Sequence, residues 1–510
     1  MGVPTSGSFS MFGNSDNTTI QGAITEGGGS VASTDNLNDL IAASNVSLFD
    51  TTYSGDLSGS LSNVTNANQY RGYPTATTST AFAFTYTFPA GSTYAARISI
   101  DGTRSEYDAV FDFGSGTTKA INSSNSFTVF TATIADNSGG GSTSTYNGNV
   151  VAATTEAFPE FTIDPNVNSS NFNISDISAW GNIKWRKLKF KGADTNLNIS
   201  ASDTPDLSRC TSLESCFSGV TNFNDSNVTS WDVSNVQLFT SMFFGASAFN
   251  QNIGGWNTGS ATDFLQTFMN ATSFNQSINS WDTADVTSMV NMFRGATSFN
   301  QTCNSWNTGN VTTMGSMFSG ATSFNQDLNS WDVSSVTNMS EMFKDATAFN
   351  GNITSWNVSG VTNSMTLMFK NAQSFNQNIS SWNVSNVTTM ASMFEGAENF
   401  NQDISGWNTS SVTSMNKMFK GGELGMVFNQ NLASWNISNV TDMTEMFNGA
   451  ASLSDANYKA TIIGWAAQST QSNVTVDFST ARLTDSAGQA ARTTLVSRGW
   501  TITDGDGTHT

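Results

Sequence analysis

The sequence predicts an α/β repeat solenoid, in which each coil of 25 residues contributes a short helix and a short parallel strand, preceded by a small all-β domain and a loop-rich N-terminal segment. The first observation is that Trp recurs at nearly constant spacing, with five gaps of 25 residues and then gaps of 26, 25, 28 and 30. The ten positions are Trp231, Trp256, Trp281, Trp306, Trp331, Trp356, Trp382, Trp407, Trp435 and Trp465. The second observation is that similar apolar residues and Asn follow each Trp, and the third is that 76–165 alternates between apolar and polar residues. Because a period of roughly 20–50 residues is typical of stacked coils, we assign ten repeats to 205–450.

A helix is predicted in the first half of each coil. The fourth residue after most of the Trp residues is Asn, Ser or Asp, which are residue types that cap a helix N-terminus. Apolar residues then follow along one helical face, as in Val336, Met339, Met342 and Phe343. A stop signal, at which a left-handed residue is favoured, comes at Gly245, Asn270, Gly295, Gly320, Asp345, Asn371, Gly396, Gly421 and Gly449. These signals bound about nine helical residues per coil.

A parallel strand is predicted where each coil reads Phe-Asn-Gln-x-Ile, as in 274–278. The Asn of this segment recurs at Asn250, Asn275, Asn300, Asn325, Asn350, Asn376, Asn401 and Asn429. Stacked Asn side chains can bond to one another and to the backbone, which would satisfy buried polar groups at each corner. The stack then needs a cap at each end, since a coil buries its apolar side only against a neighbour.

The composite pattern Trp-[Asp/Asn]-x-Ser-x-Val-Thr-x-Met-x-x-Met-Phe-x-x-Ala-x-x-Phe-Asn-Gln-[Asp/Asn]-Ile resembles the repeat of BspA-like, mycoplasma-type surface proteins. That family of leucine-rich-repeat-like solenoids occurs in bacterial surface lipoproteins and in phages, and the resemblance implies adhesion or display. It extends over about 175–505. Residues 180–185 with 203–208 resemble the family's N-terminal cap, and Tyr458, 464–466, 491–492, Leu495 and 499–502 resemble its closing segment.

The N-terminal third divides into three parts. Residues 1–75 are rich in Gly, Ser, Thr and Asn, include one helical candidate at 35–44, and are predicted to dock the protein. The stretch 3–11, Val-Pro-Thr-Ser-Gly-Ser-Phe-Ser-Met, resembles the opening of structural proteins from tailed phages of aquatic bacteria, and a loop-rich leader is the alternative. Residues 76–165 predict a β-sandwich with strands at 81–88, 96–100, 109–113 and 127–134. Residues 166–204 are assigned to the N-terminal solenoid cap.

The remaining two features concern the caps. A basic run of Lys184, Arg186, Lys187, Lys189 and Lys191 alternates with Trp185, Leu188 and Phe190, and is interpreted as one hydrated strand face. Residues 451–510 form the C-terminal cap, predicted as helix, strand, helix and a final strand at 501–503.

Composition narrows the function classes. Charged residues make up 11% of the chain and the net charge is −20, which argues against nucleic acid and anionic membranes as partners. No hydrophobic run approaches the roughly 20 residues of a membrane span, and the N-terminus lacks the features of a secretory signal. Abundant amide and hydroxyl groups instead suit a protein exposed outside cells or on a particle.

The chain is not expected to be an enzyme or to bind a cofactor or metal. Its single His is His509, beside the C-terminus, and no phosphate-binding loop occurs. Cys210, Cys216 and Cys303 occupy core positions of the repeat and are predicted to be buried thiols. Asp232, Asp282 and Asp332 follow Trp where other coils have Asn, which favours turn hydrogen bonding, although calcium binding there stays open. A glycan-processing enzyme with a carboxylate pair remains an alternative.

The predicted function is that of a virion structural protein, tail-fibre-like or surface-displayed, that presents the solenoid to a host-surface glycan or protein. We expect it to meet other virion proteins through its N-terminal segment, to form a homo-oligomer, and to lie on the virion surface. The predicted ligand-facing residues are the variable strand positions Asn252, Ser277, Thr302, Asp327, Asn352, Asn378 and Asp403. A bacterial cell-surface adhesin and a purely architectural virion decoration protein are the alternatives.

Overall fold

A computed structural model describes the strands between 56 and 162 and then residues 173–181, 184–190, 195–362 and 364–510. For the strands before 174, only the backbone is described. The chain falls into two compact units, Met1–Asn235 and Val236–Thr510. The docking segment predicted at 1–75, with its helix at 35–44, lies outside the described residues except for Asp56–Leu57.

The first unit contains an antiparallel sheet of six strands in the order β1-β5-β4-β7-β2-β9. The strands of this unit are β1 Asp56–Leu57, β2 Phe82–Phe88, β3 Tyr94–Ala96, β4 Ala109–Asp112, β5 Thr118–Ile121, β6 Phe130–Ala132, β7 Ser144–Ala152, β8 Phe161–Thr162, β9 Asn173–Ala179 and β10 Leu188–Lys189. Strands β3 and β6 form a separate antiparallel pair, and β8 and β10 form a parallel pair. The six-stranded sheet therefore includes two strands, β1 and β9, that lie outside the predicted 76–165.

Strand β9 belongs to the sheet and to the first coil at once. One edge pairs antiparallel with β2, with register shifts at Ala83/Phe84 and Thr85/Tyr86. At the other edge, Ile177 N donates to Asn198 O at 3.0 Å, and Asp176 forms a parallel bridge with Asn198. The sheet of this unit is thus continued by hydrogen bonds into the coil that follows it.

The two Trp residues of the N-terminal cap are completely buried. Trp180 and Trp185 both have 0% of their surface exposed, and the Trp180 ring meets that of Trp231 edge-on at 5.4 Å. Asp203 accepts from the backbone of Trp180 and Gly181 at 2.9 and 2.8 Å. The cap therefore combines aromatic packing with a carboxylate that satisfies backbone N–H groups.

In the second unit, aromatic side chains form parallel stacks through successive coils. Phe293 and Phe318 stack at 5.5 Å, Phe299 and Phe324 at 6.0 Å, and Trp306 and Trp331 at 6.1 Å. Within one coil the two Phe rows touch, since Phe293 and Phe299 are stacked at 3.9 Å. The core of this unit is therefore continuous from coil to coil.

The predicted helix of each coil is wrong. In its place the chain makes successive tight turns, in which Met242 N donates to Phe239 O at 3.0 Å and Phe244 N donates to Ser241 O at 3.1 Å. Ser241 has φ +55°, a left-handed conformation that interrupts a helix. Between 239 and 245, every second backbone N–H donates to the next coil, as Ser241 N does to Leu265 O at 2.8 Å. Coils joined by backbone bonds lie ~4.8 Å apart, whereas packed helices need about 8–10 Å between axes. Tight turns place apolar residues three apart and so imitate the helical pattern.

The predicted left-handed residues are confirmed at most positions, although no helix precedes them. Eight of the nine predicted positions have φ between +56° and +76°, namely Gly245, Asn270, Gly295, Gly320, Asp345, Asn371, Gly396 and Gly449. Gly421 is the exception, and there the longer coil places the left-handed residue at Gly425, with φ +86°.

The predicted strand is also misplaced. Phe-Asn-Gln-x-Ile segments of 249–432 contain no strand. The parallel bridges lie instead seven residues after Trp, or eight at Ser364. They join Leu238, Asp263, Ser288, Thr313 and Asn338 in one series and Ser364, Thr389, Ser414 and Asp442 in another. At the Asn positions the side chains bond to the backbone of the next coil instead of to each other. Asn300 Oδ1 accepts from Asn325 N and from Gln326 Nε2, both at 2.9 Å.

The last residues of the second unit close its stack. They form helix α1 Asp455–Ala466, strand β11 Thr475–Asp477, helix α2 Ser486–Ser497, strand β12 Thr501–Asp504 and strand β13 Gly507–His509. β11 pairs parallel with β12, β12 pairs antiparallel with β13, and Met443 of the last coil bridges to Val476. Where the chain is described, no helix has the length and apolar character to cross a membrane.

Candidate functional site

The seven predicted ligand-facing residues occupy one position in seven consecutive coils of the second unit. Six of them are exposed, and Asn352 is half-buried. They do not lie on a strand, because each stands just before the turn that leads into the next Trp. We call this set the candidate row: Asn252, Ser277, Thr302, Asp327, Asn352, Asn378 and Asp403.

Several side chains of the candidate row already have a structural task. The side-chain oxygens of Asn252, Asn378 and Asp403 accept from the backbone N–H two residues ahead, at 3.1, 3.1 and 2.9 Å. Hydrogen bonds from the side chain and backbone of Ser405 lower the pKa of Asp403. Because Asx turns of this kind fix the local backbone, these side chains present a fixed orientation to solvent.

Asp327 and Asn352 contact each other across two coils. Asn352 N donates to Asp327 Oδ1 at 2.8 Å, and Asn352 Oδ1 in turn accepts from Thr354 N at 3.0 Å. Leu328 N also donates to Asn352 O at 3.0 Å. The polar atoms of this row thus tie neighbouring coils together as well as facing outward.

The carboxylates that follow Trp also close turns. Asp282 and Asp332 accept from the backbone N–H two residues ahead at 3.0 and 2.9 Å, and Asn307 does the same at 3.2 Å in the coil between them. Hydrogen bonds from Ser334 lower the pKa of Asp332. Asp and Asn are interchangeable here because both supply the acceptor oxygen that the turn requires.

The three cysteines are buried and unpaired. Burial raises the pKa of Cys210 to about 12 against the opposing effects of a hydrogen bond to Ser212 and of the nearby Lys187 charge. Burial likewise raises the pKa of Cys216 and Cys303. These thiols stay protonated at neutral pH and are poor nucleophiles. In the part of the chain that the structure describes, no three His, Cys, Asp or Glu side chains are grouped to hold a metal ion.

A cluster of titratable side chains lies in the C-terminal cap, where the sequence analysis predicted none. Asp504, with a fully buried side chain, accepts from Tyr458 Oη and from Arg492, both at 2.7 Å, and lies 3.2 Å from His509 Nε2. Burial alone would raise the pKa of Asp504, but the hydrogen bonds from Tyr458 and Arg492 outweigh it and leave that pKa lowered. Burial and the Asp504 carboxylate raise the pKa of Tyr458. The saturated carboxylate holds the cap together and offers no base to a substrate. The resemblance to the family's closing segment included Tyr458 and Arg492 but not Asp504.

The chain matches a family model with the description "Mycoplasma protein of unknown function, DUF285". The match falls on 184–303, 275–376 and 361–465, which together span more than half of the chain. It supports the resemblance to BspA-like, mycoplasma-type repeats over these residues, whereas the resemblance of 3–11 to phage proteins finds no support. No curated protein and no solved structure matches the chain.

Proposed function

Since the chain belongs to the DUF285 family, whose function is unknown, we propose from its own residues that it is a displayed, non-enzymatic binding protein. It presents the coils of its solenoid to a host-surface glycan or protein as a tail-fibre-like component of a virion. The N-terminal segment attaches it to other virion proteins, and several copies act together.

One observation carries this proposal: the candidate row repeats a polar position through seven coils, exposed in six of them and half-buried at Asn352. A ligand with its own repeat can contact several coils at once, and weak contacts multiply when they are linked. The turn bonds of Asn252, Asn378 and Asp403 hold these positions in place before binding, which lowers the entropy that binding costs.

A bacterial cell-surface adhesin is the second candidate. The family match favours it, because the matching family is described from Mycoplasma proteins. Both candidates require binding at a surface, and they differ in where the protein is carried.

The location is tested by immunogold labelling and mass spectrometry of purified virus particles and of host envelopes from the same culture. The virion proposal predicts the protein in particles. Its presence only in envelopes of uninfected cells would refute the virion proposal and support the adhesin.

The binding surface is tested with a blocking variant of the full chain, Ser277→Trp/Thr302→Trp, and a matched control, Ser298→Trp/Ser323→Trp. All four residues are exposed, but Ser298 and Ser323 occupy another position of the coil. We expect host-cell binding to fall by about tenfold, or ~1.4 kcal/mol, in the blocking variant only. An equal loss in both variants, or in neither, would refute the candidate row.

A further inference from the structure

Asparagine followed by glycine occurs three times in the chain, at 147–148, 350–351 and 448–449. In such a pair the side-chain amide can react with the next backbone nitrogen, since glycine has no Cβ to hinder the approach. The reaction converts the amide into a carboxylate, which is one reason why asparagine is a thermolabile residue. Whether a given pair reacts depends on how firmly the fold holds the Asn side chain and the N–H of the glycine.

The backbone N–H that would react is bonded in the earlier coils but not in the last one. The left-handed residue of each earlier coil donates its N–H to a carbonyl of the next coil at 2.7 or 2.8 Å, namely at Gly245, Asn270, Gly295, Gly320, Asp345, Asn371 and Gly396. Gly449 is also left-handed, with φ +76°, but the C-terminal cap follows it in place of another coil. Among the described residues, the N–H of Gly449 has no hydrogen-bond partner.

The side chain of Asn448 is also lightly held. Asn448 and Gly449 are both exposed, so water reaches the pair. Asn448 Nδ2 donates to Asp477 Oδ2 at 3.3 Å, which is a long bond at the surface. Little therefore opposes the movement of the Asn448 amide toward the nitrogen of Gly449.

The other two pairs are held more firmly. Asn350 Oδ1 accepts from Asn376 N at 2.9 Å and from Gln377 Nε2 at 3.1 Å, and Gly351 is buried. Turning the Asn350 side chain toward Gly351 would leave both donors without their acceptor. The pair at 147–148 lies within strand β7, which is paired with β2.

We propose that Asn448–Gly449 is a site of spontaneous deamidation, with water as the co-reactant. The nitrogen of Gly449 bonds to Asn448 Cγ, its proton passes to the side-chain nitrogen, and that nitrogen leaves as ammonia. Water then adds to one of the two carbonyls of the resulting succinimide and opens the ring. The product at 448 is aspartate or, if the ring opens at the other carbonyl, isoaspartate.

Deamidation at this position would weaken the attachment of the C-terminal cap. Phe447 N donates to Asp477 O at 3.2 Å, and the Phe447 ring stacks on that of Phe478 at 5.3 Å, so 447–448 contact the cap directly. A carboxylate at 448 replaces the donor to Asp477 by a like charge, which repels it. Isoaspartate in addition lengthens the backbone by one methylene. The inference does not depend on the proposed binding function.

The site is tested by ageing the full chain in mildly alkaline buffer at physiological temperature. Mass spectrometry of peptides measures the loss of amide at each asparagine, and isoaspartyl methyltransferase labelling identifies isoaspartate. The matched control is Arg294→Asn, which places asparagine before Gly295 in an earlier coil. Position 294 is exposed like 448, but Gly295 N donates to Ser319 O at 2.7 Å. Circular dichroism melting checks that the variant is folded.

We expect Asn448 to lose its amide at least about fivefold faster than either the new pair at 294–295 or Asn350, because a hydrogen bond must open first at both of those sites. An equal rate in the Arg294→Asn pair would overturn the role assigned to the free N–H of Gly449. An equal rate at Asn350, which is measured in the same wild-type chain, would overturn the site.

The consequence for the cap is tested with Asn448→Asp, which reproduces the aspartate product, and Asn448→Ser, which removes the amide without adding charge. Serine fits this position, since Ser319 occupies it in another coil. Hydrogen exchange of β11 should be about two- to fivefold faster in Asn448→Asp than in Asn448→Ser at neutral pH. Equal exchange in the two variants would overturn the effect on the cap.

Discussion

The indole N–H groups of the Trp ladder should contribute unequally to stability, and Trp331 and Trp382 are the pair that shows it. Trp331 Nε1 donates to the backbone oxygen of Cys303 at 2.9 Å, whereas Trp382 Nε1 is buried and has no hydrogen-bond partner among the described residues. Both Trp side chains are 3% exposed. Both also stack on Trp356, at 6.4 and 6.2 Å. Replacing either by Phe removes the same atoms from similar packing.

The difference between the two replacements can be worked out from these contacts. Trp331→Phe loses a hydrogen bond with a net value of about 1 kcal/mol, because Cys303 O keeps its bond from Trp306 N at 3.1 Å. Trp382→Phe removes a buried donor that has no acceptor, which returns about 1–3 kcal/mol. Trp331→Phe should therefore be more destabilising than Trp382→Phe by about 2–4 kcal/mol, with the loss of packing common to both.

Urea unfolding followed by far-ultraviolet circular dichroism measures this difference, and hydrogen exchange of the flanking coils shows where stability is lost. Exchange is needed because stacked repeats do not always unfold in one step. Trp356→Phe is the control, since its Nε1 donates to Leu328 O at 2.8 Å and it should behave like Trp331→Phe. Equal costs for Trp331→Phe and Trp382→Phe, or a greater cost at Trp382, would refute the reasoning.

Three further predictions concern the turns, the Asn ladder and the C-terminal cap. Asn300→Ala leaves Asn325 N without its acceptor and should lower the free energy of unfolding, measured by urea titration, by about 2–3 kcal/mol. Asn300→Asp keeps the acceptor and should lower it less. An unchanged free energy of unfolding in Asn300→Ala would contradict the role of the Asn ladder. Leu367 has φ +62°, a conformation that Asn tolerates better than Leu, so Leu367→Asn should increase the free energy of unfolding by about 0.5–1 kcal/mol and raise the melting temperature. The control is Leu265→Asn, which should lower the melting temperature, because Leu265 is half-buried and has no positive φ. The folded pKa of Asp504 is lowered, so its contribution is present above the ordinary carboxyl pKa and is lost as pH falls through the folded value. Asp504→Asn should cost about 3–5 kcal/mol at pH 7 and little in strong acid, and a pH-independent cost in calorimetry would count against the cluster.

The repeat and its inward residues could be predicted from the sequence alone. Apolar side chains at a fixed period can be buried only if successive coils stack, and this requirement follows from the chain order without any tertiary information. The left-handed residues at positions such as Gly295 and Asn371 could also be predicted from the sequence, because few residue types tolerate positive φ. The exchange of Asp282 for Asn307 likewise identified turn hydrogen bonding, since both side chains supply the same acceptor.

Only the tertiary structure decided how the backbone of each coil bonds. A helix and a row of tight turns both place apolar residues about three apart. The short distance between coils favours the turns, in which Ser241 has a left-handed conformation. Strand β9 could not be predicted from the sequence, because its buried residues Ile174 and Ile177 are three apart and not two, as a regular strand requires. The register shifts opposite β2 allow both to be buried. The Asp504 cluster brings Asp504 to Tyr458, 46 positions away, and no local pattern encodes that proximity. What the sequence determined was therefore what must be buried, whereas the choice of hydrogen-bond partners depended on the spacing between coils.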